Sequence, residues 1–244
     1  MKIVPPKLFF ISLMIIAFLG AADAKRRQPP GGRLGIVVDE RLSALRATPQ
    51  LTGILLRRIS RGNLVAISAV KTSREGIVFY KVNVSRRVSG WVQRDAVVAP
   101  SRMGDDARLL RLIKASEDFD VVARARIFLD YFRLSAFRPE VLMIYALAAE
   151  EVAGRLSHDA GRRLNQSEMS AGGAPVFSYF LNYSGLDRYN RQGVTFVFDP
   201  GEKRFRYDGE GWRELVRRYP NSPQAVEARR RLAAARTTNG NAIR

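Results

Sequence analysis

The sequence predicts an α+β protein in two parts, a small β-barrel followed by a region of α-helical hairpins. Three observations carry this expectation. Residues 34–100 hold short β-prone runs broken by polar turns, the grammar of a small barrel or sandwich. After Pro100 the apolar positions change to helical spacing, in a stretch rich in Ala, Leu, Arg and Glu. The chain also has no cysteine, so there is no disulfide partner and each part must be held by packing.

The first element is a leader. Lys2 and Lys7 give a positive start, residues 8–19 form an apolar run without charge, and Ala22-Asp23-Ala24 offers small residues where a signal peptidase reads. This predicts a signal peptide over residues 1–24, cleaved after Ala24, and an exported protein that is periplasmic or extracellular. The run is short for a membrane span of about 20 residues; an uncleaved anchor is the alternative. Residues 25–33 (KRRQPPGGR) are a basic Pro/Gly linker with nothing apolar to bury.

The barrel is expected over residues 34–100. Its runs are LGIVV at 34–38, GILL at 53–56, LVAISAV at 64–70, IVFYKVNV at 77–84 and RVSGWVQ at 87–93. Val65 and Ile67 alternate with Ala66 and Ser68, the period of a half-buried strand. Val78, Tyr80, Val82 and Val84 fall on one face of their run by the same period. The KTSREG stretch at 71–76 reads as a turn, and Gly90 marks a kink or tight approach.

These motifs resemble the bacterial SH3-like (SH3b) family. Matching positions are Arg46 to Pro49 for an early turn, Arg61-Gly62 before the Val65 and Ile67 strand, Phe79 to Val82, and Gly90-Trp91-Val92 near the end. Thr48 replaces the usual glycine, Phe79 the usual tryptophan, and no glycine precedes Gly90 at the turn. The resemblance implies a binding module, with cell-wall material or an envelope peptide as ligand. Trp91 would stack on a sugar face or a peptide proline, with Tyr80 adding a hydroxyl; the alternative is Trp91 as a core residue. Arg86 and Arg87 complete the candidate face, either engaging an acidic peptide or wall carboxylates or standing as a solvated turn.

The helical region is expected over residues 101–236. Leu109, Leu110, Leu112 and Ile113 mark a first amphipathic helix. Residues 121–131 make a second, with Val122, Ala125, Leu129 and Phe132 on one side. Pro139 suits the first turn of a third, whose stripe runs Leu142, Tyr145, Ala146, Ala149, Val152, Ala153 and Leu156. Residues 165–175 read as loop and 177–186 as a short helix. Residues 195–199 and 204–208 form either a β-hairpin around Pro200-Gly201 or an entry to the next helix. Two helices close the chain, at 212–219 and 224–235, and residues 237–244 read as a disordered tail.

The closing pair resembles the tetratricopeptide-like repeats of exported bacterial proteins, on Tyr219 to Pro223 (YPNSP) and the Ala/Arg-rich helix that follows. Phe132 and Ser135 echo Tyr219 and Ser222, and Pro139 with Ala149 echoes Pro223 with Ala233. Pro139 and Pro223 are 84 residues apart, far from a tandem period of about 34 residues. Helical hairpins without a regular array are therefore expected, and the resemblance implies a protein partner on this region.

Catalytic signals are sparse. His158 is the single histidine, and its neighbour Asp159 cannot face it on one helix; there is no G-x-S-x-G elbow. Glu150-Glu151 lacks any accompanying motif of a glycan-cleaving site. No cofactor motif occurs, and without cysteine a metal site would have to be built largely from carboxylates. The expectation is a protein that is not an enzyme, a wall hydrolase or its accessory being the alternative.

Charge adds one more class of partner. Lys and Arg number 41 against 23 Asp and Glu, a net +18 that draws polyanions non-specifically. The arginine pairs 26–27, 57–58, 86–87, 162–163 and 217–218, with the triplet 229–231, are spread along the chain, as a solvated surface would have them.

Overall fold

The alternation read in the first half of the chain becomes strands in a computed structural model that describes residues 29–240, with side chains to residue 235. The leader, its cleavage position and residues 241–244 lie outside the described residues. The strands are β1 (Arg33–Val37), β2 (Ala44–Arg46), β3 (Leu55–Arg58), β4 (Leu64–Thr72), β5 (Val78–Asn83), β6 (Ser89–Gln93) and β7 (Val97–Val98). They form one antiparallel sheet in the order β3-β2-β6-β5-β4-β1-β7. Its ladder ends at β3 and β7, so the sheet does not close on itself.

Two glycines explain local geometry that other residues would resist. Gly62 has φ 76° and donates its N–H to the Val37 carbonyl at 2.8 Å, closing the turn into β4. A Cβ on Gly90 would stand 2.7 Å from the Arg46 carbonyl oxygen and 2.9 Å from Leu45 Cγ. Only glycine lets β6 approach β2 this closely.

The two faces of the sheet meet different partners. Val37, Leu45, Ile59, Val65, Ile67, Tyr80, Val82, Val92 and Val97 gather in one inner core. On the opposite face, Ile36, Leu64 and Val98 join the helical core with Leu109, Ile113, Val122 and Phe128. Strands β1 and β7 are therefore covered on both sides, while β3 is exposed along its length and Lys81 of β5 and Trp91 of β6 lie exposed and half-buried on the outer face.

The helices are α1 (Asp105–Lys114), α2 (Asp118–Tyr131), α3 (Arg138–Arg163), α4 (Gln166–Gly172), α5 (Val176–Leu181), α6 (Asp187–Asn190), α7 (Glu210–Arg218) and α8 (Pro223–Gly240). Every residue of the stripe from Leu142 to Leu156 is buried. α3 is the shared wall: its Leu142 and Ala146 pack with Trp212, Leu215 and Ala228, and its Ala149, Val152 and Leu156 belong to the larger core. Trp212 Nε1 donates to Glu150 Oε1 at 2.7 Å, and Arg231 holds the other carboxylate oxygen at 2.7 Å.

Two segments depart from the sequence reading, and a third settles an open alternative. Residues 166–172 are helical where a loop is expected, because Asn165 caps them by accepting from Ser167 N at 2.9 Å and Glu168 N at 3.4 Å. The region after Thr195 takes the hairpin alternative: β8 (Phe196–Asp199) pairs with β9 (Arg204–Tyr207). Phe196, Phe198 and Phe205 pack with Phe180 and Tyr189, and the Phe180–Phe198 centroids are 4.6 Å apart. α8 continues to Gly240, past the end expected at residue 235.

The sheet and the helices are docked by arginines as well as by apolar side chains. Arg124 is buried, donating Nε to the Val38 carbonyl at 3.1 Å and Nη1 to Ser116 Oγ at 2.6 Å, and it pairs with Asp120 at 3.1 Å. Arg61 reaches Asp120 from the sheet at 2.5 Å. Asp105 accepts from Ala99 N at 2.8 Å, and Arg108 donates to the carbonyls of Asp95 and Val97. The Pro100 junction is a fixed corner.

Candidate functional site

Register, not sequence distance, builds the most distinctive surface. In β6, Gly90 and Val92 are buried while Trp91 between them is half-buried and points to the opposite face. Trp91 pairs with Arg46 of β2 on one side and Lys81 of β5 on the other. Arg46 pairs in turn with Leu55 of β3, and Lys81 with Ala69 of β4. A row therefore crosses the sheet as Leu55, Arg46, Trp91, Lys81 and Ala69, with an indole between two cations.

Local structure holds this row open. Arg46 Nη1 donates to the Gly53 carbonyl at 2.8 Å, which fixes the guanidinium over the 48–53 turn. The neighbouring edge is apolar and exposed, with Ile54 at 75 %, Leu55 at 48 % and Leu56 at 49 % of full accessibility. Among the described residues before Pro100, the cations in ion pairs are Arg41, Arg61 and Arg94. Arg46, Arg57, Arg58 and Lys81 have no carboxylate within 4.0 Å among the described residues. Uncompensated cations beside an aromatic surface suit a ligand with a ring face or apolar body and an acidic group.

The other sequence-predicted site residues lie elsewhere. Tyr80 is 4 % exposed in the inner core, where its hydroxyl accepts from Arg102 Nη1 at 2.7 Å. It is on the face opposite Trp91, whose β5 partner is Lys81. Arg86 and Arg87 are exposed at the tip of the β5–β6 hairpin, in a turn closed by Ser85 Oγ accepting from Arg87 N and Val88 N. Trp91 lies within β6, while Arg86 and Arg87 belong to the turn that precedes it. Arg46 and Lys81 were missed by sequence reasoning, because cross-strand register is not visible in a linear pattern.

A second concavity lies in the helical half. A cleft of about 500 Å³ opens between α2, α3 and α7, with β9 at its side. Tyr145 donates to the Gln192 carbonyl at 3.1 Å, and burial pushes its phenol up to about 12. Tyr207 accepts from Gly211 N at 2.6 Å, and burial raises its phenol as well. Arg138 is 6 % exposed; its Nε donates to the Tyr219 hydroxyl at 2.9 Å and its Nη1 to the Leu129 carbonyl at 2.7 Å. The sequence signals for this site were Arg138 beside the helix-opening Pro139 and Tyr219 in YPNSP, neither of which announces a contact between them.

The candidate catalytic groups are committed to structure or solvent. His158 is 72 % exposed, with Nδ1 3.9 Å from Asp159 Oδ1. Glu150 is held by Trp212 and Arg231, and Glu151 pairs with Arg155 at 2.7 Å. Among the described residues, no cluster of three His, Cys, Asp or Glu side chains could hold a metal ion, and no helix is long and apolar enough to cross a membrane. No protein-family model, curated protein or solved structure matches this chain.

Proposed function

We propose that this chain is an exported, non-enzymatic binding protein of the cell envelope. Its sheet, read as an SH3b-like module, recognises cell-wall material or an envelope peptide, and its helices, read as tetratricopeptide-like hairpins, hold a protein partner. The observation that carries the reading is the row of Arg46, Trp91 and Lys81, in which Lys81 is exposed and Arg46 and Trp91 are half-buried. An indole offers a flat surface to a pyranose ring, and the flanking cations suit the carboxylates of wall peptides and acidic sugars. Support for the module comes from the motif positions at Gly62 and Gly90, where the backbone requires glycine. Support for export comes from the leader pattern in residues 1–24.

Co-sedimentation of residues 25–244 with purified sacculi, at low and high salt, tests the reading. Retention at about 0.5 M salt, where the Debye length is only a few ångströms, is the expected result, with loss of that retention in Trp91→Ala. Binding abolished by salt and indifferent to Trp91 would reduce the sheet to a polyanion-attracting surface. A second reading, an adaptor that works through its helices alone, draws on the α2–α3–α7 cleft. It predicts protein partners in a pull-down and no sacculus binding.

A further inference from the structure

The wall of the helical cleft includes a buried arginine, Arg138. Arg138 is buried, and its ordinary bonds use Nε and Nη1 alone, to Tyr219 Oη, the Leu129 carbonyl and the Phe132 carbonyl. Its Nη2 meets no acceptor, and no carboxylate lies within 4.0 Å of the guanidinium among the described residues. Tyr219 and Tyr207 are each acceptors in their bonds, from Arg138 Nε and Gly211 N. Their own hydroxyl protons have no acceptor among the described residues. All three groups line the same cleft. The carbonyl end of α2 offsets part of the Arg138 charge, and Nη2, not among the buried atoms without a partner, is left to solvent.

The geometry points to a carboxylate-binding site centred on Arg138, which takes a small acid or the acidic end of a peptide. With Nε and Nη1 already bonded, the two Nη2 hydrogens are what Arg138 offers, and a carboxylate oxygen is a charge-matched acceptor for them. The volume of about 500 Å³ lies within the range of small-ligand sites, about 300–1,000 Å³. A phosphate dianion fits less well, because Glu210 and Glu214 line the same wall and would repel the second charge. Arg133, exposed on the rim with only its Nε bonded, to the Asp130 carbonyl at 3.4 Å, draws the acid inward.

The site rests on the helical half being a binding surface. Acid binding without capture of any protein would sink the partner reading and leave the site standing. Titration calorimetry on the intact chain tests it with acetate, N-acetyl-dialanine, the C-terminal amide of that dipeptide, and inorganic phosphate. N-acetyl-dialanine is expected to bind saturably and its amide at least tenfold more weakly. Acetate binding as tightly as the dipeptide assigns a small acid, whereas tenfold weaker binding assigns a peptide end. Arg138→Lys should weaken the acid at least tenfold. Because Arg138 also holds the end of α2, folding of that variant is followed by circular dichroism. Arg133→Gln, on the surface, gives an independent loss of about threefold. The proposal is overturned by absence of saturation, by equal binding of acid and amide, or by phosphate binding more tightly than the acid. Unchanged affinity in both variants overturns it too.

Discussion

The sheet and the helices differ in how much of their positive charge is paired. On the helices and their hairpin, most guanidiniums sit beside carboxylates: Arg155 is 2.8 Å from Asp118, Arg206 is 2.6 Å from Asp199, and Arg231 is 2.7 Å from Glu150. On the sheet, Arg46, Arg57, Arg58 and Lys81 stand without such partners among the described residues. A paired guanidinium has its field largely cancelled by its neighbour, while an unpaired one projects it outward. The positive charge read in the sequence as evenly dispersed is thus uneven in effect.

This comparison can be broken or sharpened at several places. The largest effect is expected where the halves join. Ile113 is fully buried in the core that the sheet and helices share, so Ile113→Ala should cost about 3 kcal/mol. Urea unfolding should remain a single transition; two separate transitions would show that sheet and helices are independent. Arg124→Met should cost about 2 kcal/mol in the same assay, since it strips the Val38 carbonyl and Ser116 Oγ of their donor. A neutral outcome would mean that the apolar seam alone fixes the corner.

Changes on the open face should move binding and leave the fold alone. Trp91→Ala is expected to weaken sacculus binding about tenfold, equivalent to about 1.4 kcal/mol, with stability altered by less than about 0.5 kcal/mol. Equal loss of binding and stability would return Trp91 to the core. The smallest effect is on acid tolerance. The hydrogen bond from Arg41 holds the Asp39 carboxyl below its ordinary value. A lowered folded value means that the stabilisation is complete above about pH 4 and lost as pH falls through it. Asp39→Asn should therefore show a shallower loss of urea midpoint between about pH 5 and pH 3 than the parent chain. An identical slope would place the acid sensitivity elsewhere.

What was legible in the sequence was periodicity, and what was hidden was register. The face shared by Val78, Tyr80, Val82 and Val84 is the inward side of β5, where Tyr80 and Val82 are buried and Val84 packs against the core. That pattern already conflicted with Tyr80 as a surface ligand, since period two places it with the valines. The α3 stripe was legible for the same reason, because one helix carries the whole signal. The row of Arg46, Trp91 and Lys81 was not: it depends on the irregular register between Leu45 and Arg46 and on two separate strand pairings. The cap on α4 was present as Asn165 followed three residues later by Glu168, and the polar composition around it masked the signal.

The β3 edge has a consequence for how the protein behaves at high concentration. Leu55 and Leu56 lie in the strand that ends the sheet, followed directly by Arg57 and Arg58. Unpaired strand edges with apolar side chains recruit further strands, and neighbouring like charges keep copies apart. These two arginines act as gatekeepers against self-association. Screening them with salt or a soluble polyanion would promote edge-to-edge stacking, so colloidal stability should fall as ionic strength rises, the reverse of simple salting-in.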